Sequence, residues 1–454
     1  MDKKVKITFH GGAGTVTGAN FLMEIDGKKI LVDCGLTQGF KDADDINWDP
    51  FPYDPKDVDF LFITHAHIDH IGRIPKLIDE GFNGIIYSTK PTKSLVTPML
   101  EDTAGIVSKN KNYDLKKVYS DINIKTAVNL WQGFEYNEII EVTPNLKVSF
   151  KNAGHILGSA MVCFVYNGKK ILFTGDLGNS PSPLLPDTER ITDADYVIME
   201  SVYGDRNHES RDERRKYLEQ VIEDNYKRKG ILIIPIFSLE RSQELLFELN
   251  NLVEEKRIPE MPIFLDSPLA IRLTEIFKQY KQYWNEKVQN IMFTDQHVFD
   301  FPGLHLTLEA EESKKINNIP NPKIIIAGSG MSSGGRVVHH EKQYLPDPNN
   351  TLLLIGYQSV GSPGRLIQEG VKTVRIAGEY VTVRSHIVTI YGYSGHKDSD
   401  GLLNFISDMR DSVKKVFVVM GEPKSSTFLV QKLKDNLAID AYAPEQGESV
   451  TFNC

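Results

Sequence analysis

The sequence feature that most constrains this chain is a cluster of three histidines and one aspartate within six positions: His65, His67, Asp69 and His70. The cluster directly follows the apolar run 60–63, which predicts a buried strand. Ligand sites of α/β proteins lie in such loops beyond strand ends. Imidazole and carboxylate are the natural ligands of a hydrolytic zinc site. Because the chain has only 12 histidines in 454 residues, a surface loop that is rich in histidine by chance is the less favoured interpretation.

Two later residues of ligand type also follow predicted strands. His155 comes after the alternating run 147–150, and Asp176 after the apolar run 170–172. Each alone would be interpreted as structural, but together with the first cluster they complete a set for two metal ions. The predicted ligands are His65, His67 and His155 for one ion, Asp69 and His70 for a second, and Asp176 as a bridge.

Asp33 ends a further predicted strand, 28–33. We expect its carboxylate to fix a ligand histidine through the ring nitrogen that does not bind the ion. An ordinary aspartate at a strand end is the alternative, and the sequence leaves it open.

This order of motifs resembles the metallo-β-lactamase superfamily, whose signature is H-x-H-x-D-H followed by a distant His and a distant Asp. The resemblance runs through the N-terminal 200 residues. It includes the glycine-rich segment 11–18 and a hairpin that turns at Asp26-Gly27, a strong hairpin signal. The resemblance implies a metallo-β-lactamase αββα sandwich.

Later segments resemble the β-CASP branch of that superfamily. Residues 199–204 are similar to its acidic motif and residues 393–398 to its later histidine motif. Three segments between them are similar to its inserted domain: 234–241, 264–270 and 327–336. The best match is to the bacterial and archaeal RNA-processing members, relatives of ribonuclease J and the pre-mRNA 3′-end endonuclease.

The resemblance implies a zinc-dependent phosphodiesterase that cleaves single-stranded RNA by metal-hydroxide attack and leaves a 5′-phosphate and a 3′-hydroxyl. The implied catalytic residues are Asp69, Glu200 and His396. His396 would protonate the leaving oxygen, and Glu200 would orient the imidazole and favour its protonated form.

Met420 departs from the pattern of these relatives, which carry a histidine there that completes the second metal site. A neutral thioether is a poor ligand beside hard oxygen and imidazole donors. The second ion is therefore expected to bind weakly or to be manganese, and the preference for RNA over DNA is left open.

Glycine-rich turns after two predicted strands suit a polyanion, because small residues let backbone N–H groups approach phosphate. Turns that simply permit positive φ are the alternative. We predict phosphate or RNA contacts from Ser329, Gly330, Gly334, Gly335, Arg336, Ser362, Arg365 and Arg241. The pair His339-His340 is interpreted as structural, with phosphate donation as the alternative.

The chain is predicted to be one domain interrupted by another. Residues 1–207 form the first part of the metallo-β-lactamase domain, 208–380 an inserted α/β β-CASP domain, and 381–454 the returning part. The pattern becomes helical at 214–226, and then strands and helices alternate.

Composition predicts a cytoplasmic protein. The three cysteines form no paired spacing, no apolar run reaches the length of a membrane span, and the N-terminus has no signal-peptide pattern. A net charge of −9 argues against tight nonspecific nucleic-acid binding, although bound metal reverses the local field. We expect single-stranded RNA as partner, no membrane, and a homodimer as one option.

Three other functions stay open. They are a metal hydrolase of small thioesters or lactones, a DNA-acting nuclease, and a non-catalytic RNA-binding subunit. The inserted domain argues against the first, and the presence of His65, His67, Asp69, His70, His155 and Asp176 argues against the last.

Overall fold

The computed structural model describes residues 4–39, 43–108, 115–208, 211–292, 297–356, 358–359 and 361–454. The chain divides into two compact units. The first comprises Met1–Asn207 with His396–Cys454, and the second comprises His208–Gly395.

The strands, in chain order, are β1 (Lys4–Gly11), β2 (Asn20–Ile25), β3 (Lys28–Val32), β4 (Phe60–Phe62), β5 (Ile85–Thr89), β6 (Trp131–Phe134), β7 (Ile140–Thr143), β8 (Leu146–Asn152), β9 (Ala160–Tyr166), β10 (Lys169–Phe173), β11 (Tyr196–Glu200), β12 (Ile231–Pro235), β13 (Ile263–Asp266), β14 (Leu304–Leu306), β15 (Lys323–Ala327), β16 (Thr351–Ile355), β17 (Thr373–Ile376), β18 (Glu379–Thr382), β19 (His386–Ile390), β20 (Lys415–Val419), β21 (Ala441–Tyr442) and β22 (Ser449–Asn453).

The α-helices are α1 (Ala43–Trp48), α2 (Ile68–Ile71), α3 (Ile74–Asp79), α4 (Lys90–Val107), α5 (Leu115–Val118), α6 (Asp121–Asn129), α7 (Arg211–Lys227), α8 (Arg241–Glu254), α9 (Pro268–Gln279), α10 (Glu286–Ile291), α11 (Ala310–Lys315), α12 (Val337–Tyr344), α13 (Pro363–Gln368), α14 (Ser399–Ser407) and α15 (Pro423–Leu437). Within the described ranges, none of these helices has both the length and the apolarity that a membrane span requires.

The first unit is a sandwich of two sheets. One sheet has the order β22-β1-β2-β3-β4-β5-β6, and the other has the order β21-β20-β11-β10-β9-β8-β7. Alternate residues of β9 show how the layers form. Phe164 points into the core between the sheets, whereas Cys163 points to the opposite face, which α14 and α15 cover. On the outer side of the first sheet, α4 lies against β5 and β6. The predicted αββα sandwich is confirmed.

The hairpin of β2 and β3 follows its sequence signal. Ile25 pairs with Lys28, so Asp26 and Gly27 alone make the turn. Both turn residues have positive φ, at 50° and 72°, which a two-residue turn of this twist requires.

The second unit contains a parallel sheet with the order β14-β13-β15-β12-β16-β19. Its four inner strands, β13, β15, β12 and β16, are nearly continuous apolar runs and are buried throughout, because both faces of the sheet are covered there. On one face, Val337 and Val338 of α12 pack against Ile231 and Ile233 of β12. The neighbouring residues Leu232 and Ile234 are also fully buried on the opposite face. The predicted inserted α/β domain is confirmed.

The end of this unit differs from the prediction. The sequence assigned residues from 381 onward to the returning domain, but β19 pairs in parallel with β16 along its whole length and belongs to the inserted sheet. The compact unit therefore extends to Gly395. An apolar strand does not reveal in its own sequence which sheet it joins, since the partner strand lies far away in the chain.

A buried carboxyl in the second unit gives a stability prediction. Glu341 of α12 is completely buried, and within the described residues its carboxyl group receives one hydrogen bond, from the Ser332 hydroxyl. Burial raises the pKa of Glu341 from 4.5 to about 7. Below pH 4.5 the carboxyl is protonated in both the folded and the unfolded state, so its burial does not lower the free energy of unfolding through ionisation. As the pH rises towards 7, the unfolded state loses its proton while the folded state keeps it, and the free energy of unfolding falls. Above that pH, the difference between a pKa of 4.5 and one of about 7 corresponds to a loss of about 3 kcal/mol in the free energy of unfolding.

We expect Glu341→Gln to raise the unfolding temperature at pH 8 and to change it little at pH 4. Thermal unfolding followed by circular dichroism at both pH values measures the difference. Glu286→Gln, a change of an exposed glutamate in α10, is the control and should have a similar small effect at both pH values. Equal effects of Glu341→Gln at pH 4 and pH 8 would contradict this account.

Candidate metal centre

Residues of the predicted site follow the ends of four strands of the first unit. Asp33, His65, His155 and Asp176 each follow β3, β4, β8 or β10 within three residues. The loop after β10 packs tightly on the histidine loop. Gly175 has a φ of +52°, and a Cβ atom there would lie 2.7 Å from the Cβ of Thr64.

The first cluster is split by a change of backbone. His67 is extended, and it is the N-cap residue that directly precedes α2. Asp69 and His70 lie inside that helical turn and therefore project differently from His65 and His67. The backbone thus separates the two pairs of residues that the sequence assigns to different ions.

Four donor atoms converge at the first predicted site. The His67 Nδ1 atom lies 3.1 Å from His65 Nε2 and 3.2 Å from His155 Nε2. The Asp176 Oδ2 atom lies 3.4 Å from His65 Nε2 and 3.6 Å from His155 Nε2. A tetrahedron with bonds of about 2.0–2.1 Å to its centre has edges of about 3.3–3.4 Å, so these four atoms fit the coordination shell of an ion such as zinc.

The protonation of these groups agrees with metal binding. Burial, together with the neighbouring imidazoles, holds the pKa of His67 and of His155 well below the ordinary histidine value. Burial favours a neutral Asp176, but the imidazoles of His70 and His65 outweigh it and hold its pKa well below the usual range. Neutral imidazoles and an ionised carboxylate are the forms that bind a divalent ion.

The His70 imidazole contacts the Asp33 carboxylate. The His70 Nδ1 atom lies 2.7 Å from Asp33 Oδ2. The same carboxylate accepts hydrogen bonds from the Thr64 N–H and hydroxyl, both at 2.8 Å. Sequence reasoning missed Thr64, whose hydroxyl also lies 3.0 Å from His65 Nδ1. Its position just before the histidine cluster was the available signal.

The second predicted set is less compact than the first. His70 Nε2 lies 3.4 Å from Asp176 Oδ1 and 3.8 Å from Asp69 Oδ2. Among the described residues, neither His70 Nε2 nor Asp176 Oδ1 has a hydrogen-bond partner, although both are buried. These facing atoms fit a cation between them. However, Asp69, His70 and Asp176 do not form one of the close groups of metal-type donors found in the described chain.

Glu200 and His396 lie beside the first donor set. The His396 Nδ1 atom is 3.3 Å from Glu200 Oε1 and 3.9 Å from Asp176 Oδ2. The His396 ring also lies against the His155 ring, with centroids 4.6 Å apart. Burial alone would lower the pKa of His396, but the Glu200 carboxylate outweighs it and raises the pKa to about 9. Leu177 N–H donates to Glu200 at 2.5 Å and fixes the carboxylate.

Met420 is a core residue of the first unit. Its side chain is 2% exposed and belongs to the apolar cluster between the sheets, and a Cβ atom on Gly12 would lie 2.5 Å from its sulfur. It also lines a small cavity with His70 and Asp33. The thioether thus occupies the neighbourhood of the second predicted set without adding an imidazole or oxygen donor to it.

The glycine-rich loops of the second unit contact each other. Gln358 Nε2 donates to the carbonyl of Gly330 at 2.9 Å, and Gly364 N–H donates to the carbonyl of Met331 at 3.1 Å. Ser329 Oγ accepts hydrogen bonds from the N–H groups of Ser333 and Gly334, both at 3.2 Å. Sequence reasoning missed Gln358, which no local motif marks.

Position 335 requires glycine for a structural reason that does not involve phosphate. Its φ is +73°, and a Cβ atom there would lie 2.3 Å from the carbonyl oxygen of Gly328. By contrast, a Cβ atom on Gly334 would meet no atom within 4 Å. The positive-φ interpretation therefore accounts for Gly335, while Gly334 lies in open space.

The arginines predicted to contact phosphate are engaged within the unit. Arg336 donates to Asp266 Oδ1 at 2.7 Å and to the carbonyl of Thr307 at 3.0 Å. His340 also contacts Asp266, at 2.7 Å, so its role is structural. Arg241 is buried, pairs with Glu244 and donates to the carbonyl of Tyr393 at 3.0 Å.

The arginine at the second loop is also paired. Arg365 pairs with Glu369 at 2.7 Å, and its N–H donates to the hydroxyl of Ser362, which caps α13. Bidentate phosphate contacts, which the sequence suggests for Arg241 and Arg365, stay a prediction. In the structure Arg241 already pairs with Glu244 and a carbonyl, and Arg365 pairs with Glu369.

Three family descriptions match this chain. They are the metallo-β-lactamase superfamily over residues 13–224, the β-CASP domain over 242–367, and the Zn-dependent metallo-hydrolase RNA specificity domain over 380–444. The matched ranges follow one another along nearly the whole chain.

Sequence comparison with known proteins indicates the same family. The chain is 37% identical to ribonuclease TTHA0252 of Thermus thermophilus, covering 92% of this chain and 93% of that protein. It is 32% identical to the RNase J-like protein of Methanocaldococcus jannaschii, covering 98% and 99%. A solved structure, a protein of unknown function from Enterococcus faecalis V583, has a TM-score of 0.59 at 13% identity, covering 99% of this chain and all of that one; this likeness concerns the fold alone.

The chain is thus a metallo-hydrolase of the metallo-β-lactamase superfamily. Within it, the chain belongs to the β-CASP family of RNA-processing nucleases, as the sequence predicted. The thioester or lactone hydrolase and the non-catalytic subunit are not favoured by these matches.

Proposed function

We propose that this chain hydrolyses phosphodiester bonds of single-stranded RNA with zinc bound at the His65–His67–His155–Asp176 site. The observation that carries this proposal is the tetrahedral spacing of the four donor atoms, 3.1–3.6 Å along the four measured edges. Family membership and the relatives named ribonuclease and RNase J-like support RNA as the substrate.

The chain's own residues would prepare and complete the reaction around that site. When bound, divalent ions would polarise the scissile phosphate and lower the pKa of the attacking water. The attack forms a P–O bond and breaks the bond between phosphorus and the sugar O3′ atom. The products are a 5′-phosphate and a 3′-hydroxyl.

His396 is the group we assign to leaving-group protonation. A sugar alkoxide is a poor leaving group, so a positioned acid speeds its departure. The Glu200 carboxylate, 3.3 Å away, stabilises the protonated imidazole and fixes the direction of the ring. After the proton moves to O3′, a proton from solvent would reprotonate the imidazole.

We further propose that the second ion, near Asp69, His70 and Asp176, binds more weakly than the first. Met420 supplies only an uncharged, soft sulfur to this neighbourhood, which offsets little of the cost of dehydrating a divalent ion. A harder ion that keeps its waters, such as manganese, suits such a site better than zinc.

Met420→His is expected to tighten binding of the second ion by at least about tenfold, because imidazole is a far better ligand than a thioether. Histidine also tolerates the positive φ of 47° at this position. Isothermal titration of metal-free protein with zinc and with manganese measures the change.

Met420→Leu is the matched control, because it keeps the apolar volume and adds no donor; it should bind both ions as the natural chain does. If the natural chain already binds two ions equally tightly, and Met420→His does not change this, Met420 has only a packing role.

The function itself is tested by cleavage of matched oligonucleotides. Purified, metal-loaded protein should cut single-stranded RNA and release 5′-phosphate ends, which end-labelling identifies. A DNA strand of the same sequence, tested in parallel, measures the preference for RNA over DNA. Failure to cut RNA under any divalent metal, with hydrolysis of a thioester or lactone, would overturn the proposal.

A further inference from the structure

Phe237 is an exposed aromatic residue just beyond the carboxyl end of β12, an inner strand of the inserted parallel sheet. It follows β12 by two residues, and 37% of the residue is accessible to solvent. Most other aromatic side chains of this unit, such as Phe264 and Phe277, are buried. An exposed phenyl ring at this position therefore needs a reason.

The topology makes the carboxyl ends of β12 and β15 the natural ligand site of the unit. The chain leaves β12 to reach β13 on one side, and it leaves β15 to reach β16 on the other. Because such crossovers are right-handed, the two connections pass over opposite faces of the sheet. A crevice therefore opens at the carboxyl ends of β12 and β15, and open α/β sheets bind ligands in this kind of crevice.

Phe237 and the glycine-rich loop line this crevice from its two sides. The pairing of the strands continues to the Ile236 N–H, which donates to the carbonyl of Ala327 at 3.0 Å. Phe237 and Gly328 are the next residues on each side.

The ring is held in place by its neighbours. A Cβ atom on Gly330 would lie 2.6 Å from the Cδ2 atom of Phe237, so any larger residue at 330 would collide with the ring. The carbonyl of Phe237 accepts a hydrogen bond from Ser242 at 2.8 Å. Gln358 fixes the Gly330 carbonyl from the other side. A ring positioned in this way loses little entropy when a ligand stacks on it.

The polar groups beside the ring are hydroxyls rather than charges. Ser329 and Ser333 have their oxygens 3.2 Å apart on the loop, and Ser333 is exposed. Hydroxyl groups of this kind contact phosphate and sugar oxygens of nucleic acids. The nearby Arg336 is occupied by Asp266. The crevice thus offers one flat apolar surface with neutral donors, which matches a nucleobase and its backbone better than a free anion.

We propose that Phe237 stacks on one nucleobase of single-stranded RNA while the Ser329–Ser333 loop contacts the adjoining backbone. This inference rests on the proposed function and adds a base-contacting subsite to it. Every base has an aromatic face, so this contact would hold the strand without selecting its sequence.

The test compares two probes, an oligouridylate and a strand of equal length that lacks all bases. Binding is measured by fluorescence anisotropy with chelator present, so that no strand is cut. The natural chain should prefer the oligouridylate, and Phe237→Leu should reduce that preference by roughly 5- to 100-fold, the contribution of one stacked base. Phe237→Trp should keep the preference, and its added indole fluorescence should be quenched by the oligouridylate only.

Tyr380→Leu is the matched control, because Tyr380 is an aromatic residue of the same unit that is 79% exposed on β18, which pairs with β17 in a separate two-stranded sheet. It should leave the preference unchanged. The inference is overturned if Phe237→Leu prefers the oligouridylate as strongly as the natural chain does, or if the natural chain shows no preference. If the metal-loaded natural chain still cuts RNA in either case, the proposed function stands without this subsite.

Discussion

Replacement of Asp176 by alanine is expected to reduce RNA cleavage on the order of 10⁴-fold or more. Asp176 Oδ2 lies 3.4–3.6 Å from two imidazoles of the first donor set, and its Oδ1 faces His70 at 3.4 Å. One substitution therefore damages both predicted ion positions, and the metal's contribution of several kcal/mol to the rate is lost. Single-turnover cleavage and metal analysis of the same purified sample measure both effects.

Two further variants make this result specific. Asp176→Asn keeps the shape but removes the charge, so it should also lose metal and activity. Asp193→Ala, a change of an exposed aspartate in the same unit, should keep both. Full cleavage by Asp176→Ala in the presence of chelator would contradict the assignment of this residue.

Replacement of His396 by alanine is expected to slow cleavage roughly 10²- to 10⁴-fold, the usual contribution of a general acid. His396 contacts Glu200 at 3.3 Å and is not part of the four-donor set, although Asp176, Glu200 and His396 form a second close group of metal-type donors. We assign His396 to proton transfer rather than to metal binding. Metal content should therefore change little. A substrate with sulfur at the leaving O3′ position needs little protonation, so it should recover much of the lost rate.

The control is His386→Ala, since His386 is an exposed histidine on β19 of the inserted unit. It should cut both substrates at the natural rate. Equal defects of His396→Ala on the oxygen and sulfur substrates would remove His396 from proton transfer and leave it a positioning role beside Asp176.

Local patterns were sufficient to predict the elements that carry the ligands. His65, His67 and Asp176 follow apolar runs and His155 follows an alternating run, and both patterns predict strands from the sequence alone. The two-residue turn at Asp26-Gly27 is equally local. These features depend on neighbours within a few residues, so one sequence contains all the information they need.

Features that depend on distant partners could not be predicted in the same way. The strand His386–Ile390 was assigned to the wrong unit, because only its pairing with β16 reveals its sheet. Arg336 resembled a phosphate ligand because it follows a glycine-rich turn. Its actual partner, Asp266, is 70 residues away and is itself buried among polar groups. Long-range ion pairs leave no periodic signal in a sequence.

Met420 lies between these two cases. The sequence marks it as a departure from the pattern of the family that the chain resembles. Its burial in the apolar core against Gly12 depends on residues more than 400 positions away, and the sequence did not predict it. The structure thus supplies a packing role that the motif comparison alone did not suggest.

The most direct test of the metal centre is to return zinc to metal-free protein in small steps while RNA cleavage is recorded. We expect no cleavage without metal, and recovery as the first equivalent fills the site formed by His65, His67, His155 and Asp176. Further activation should require excess zinc or manganese, because Met420 adds no donor to the second position. Cleavage of RNA at the full rate by protein shown to contain no metal would contradict the account.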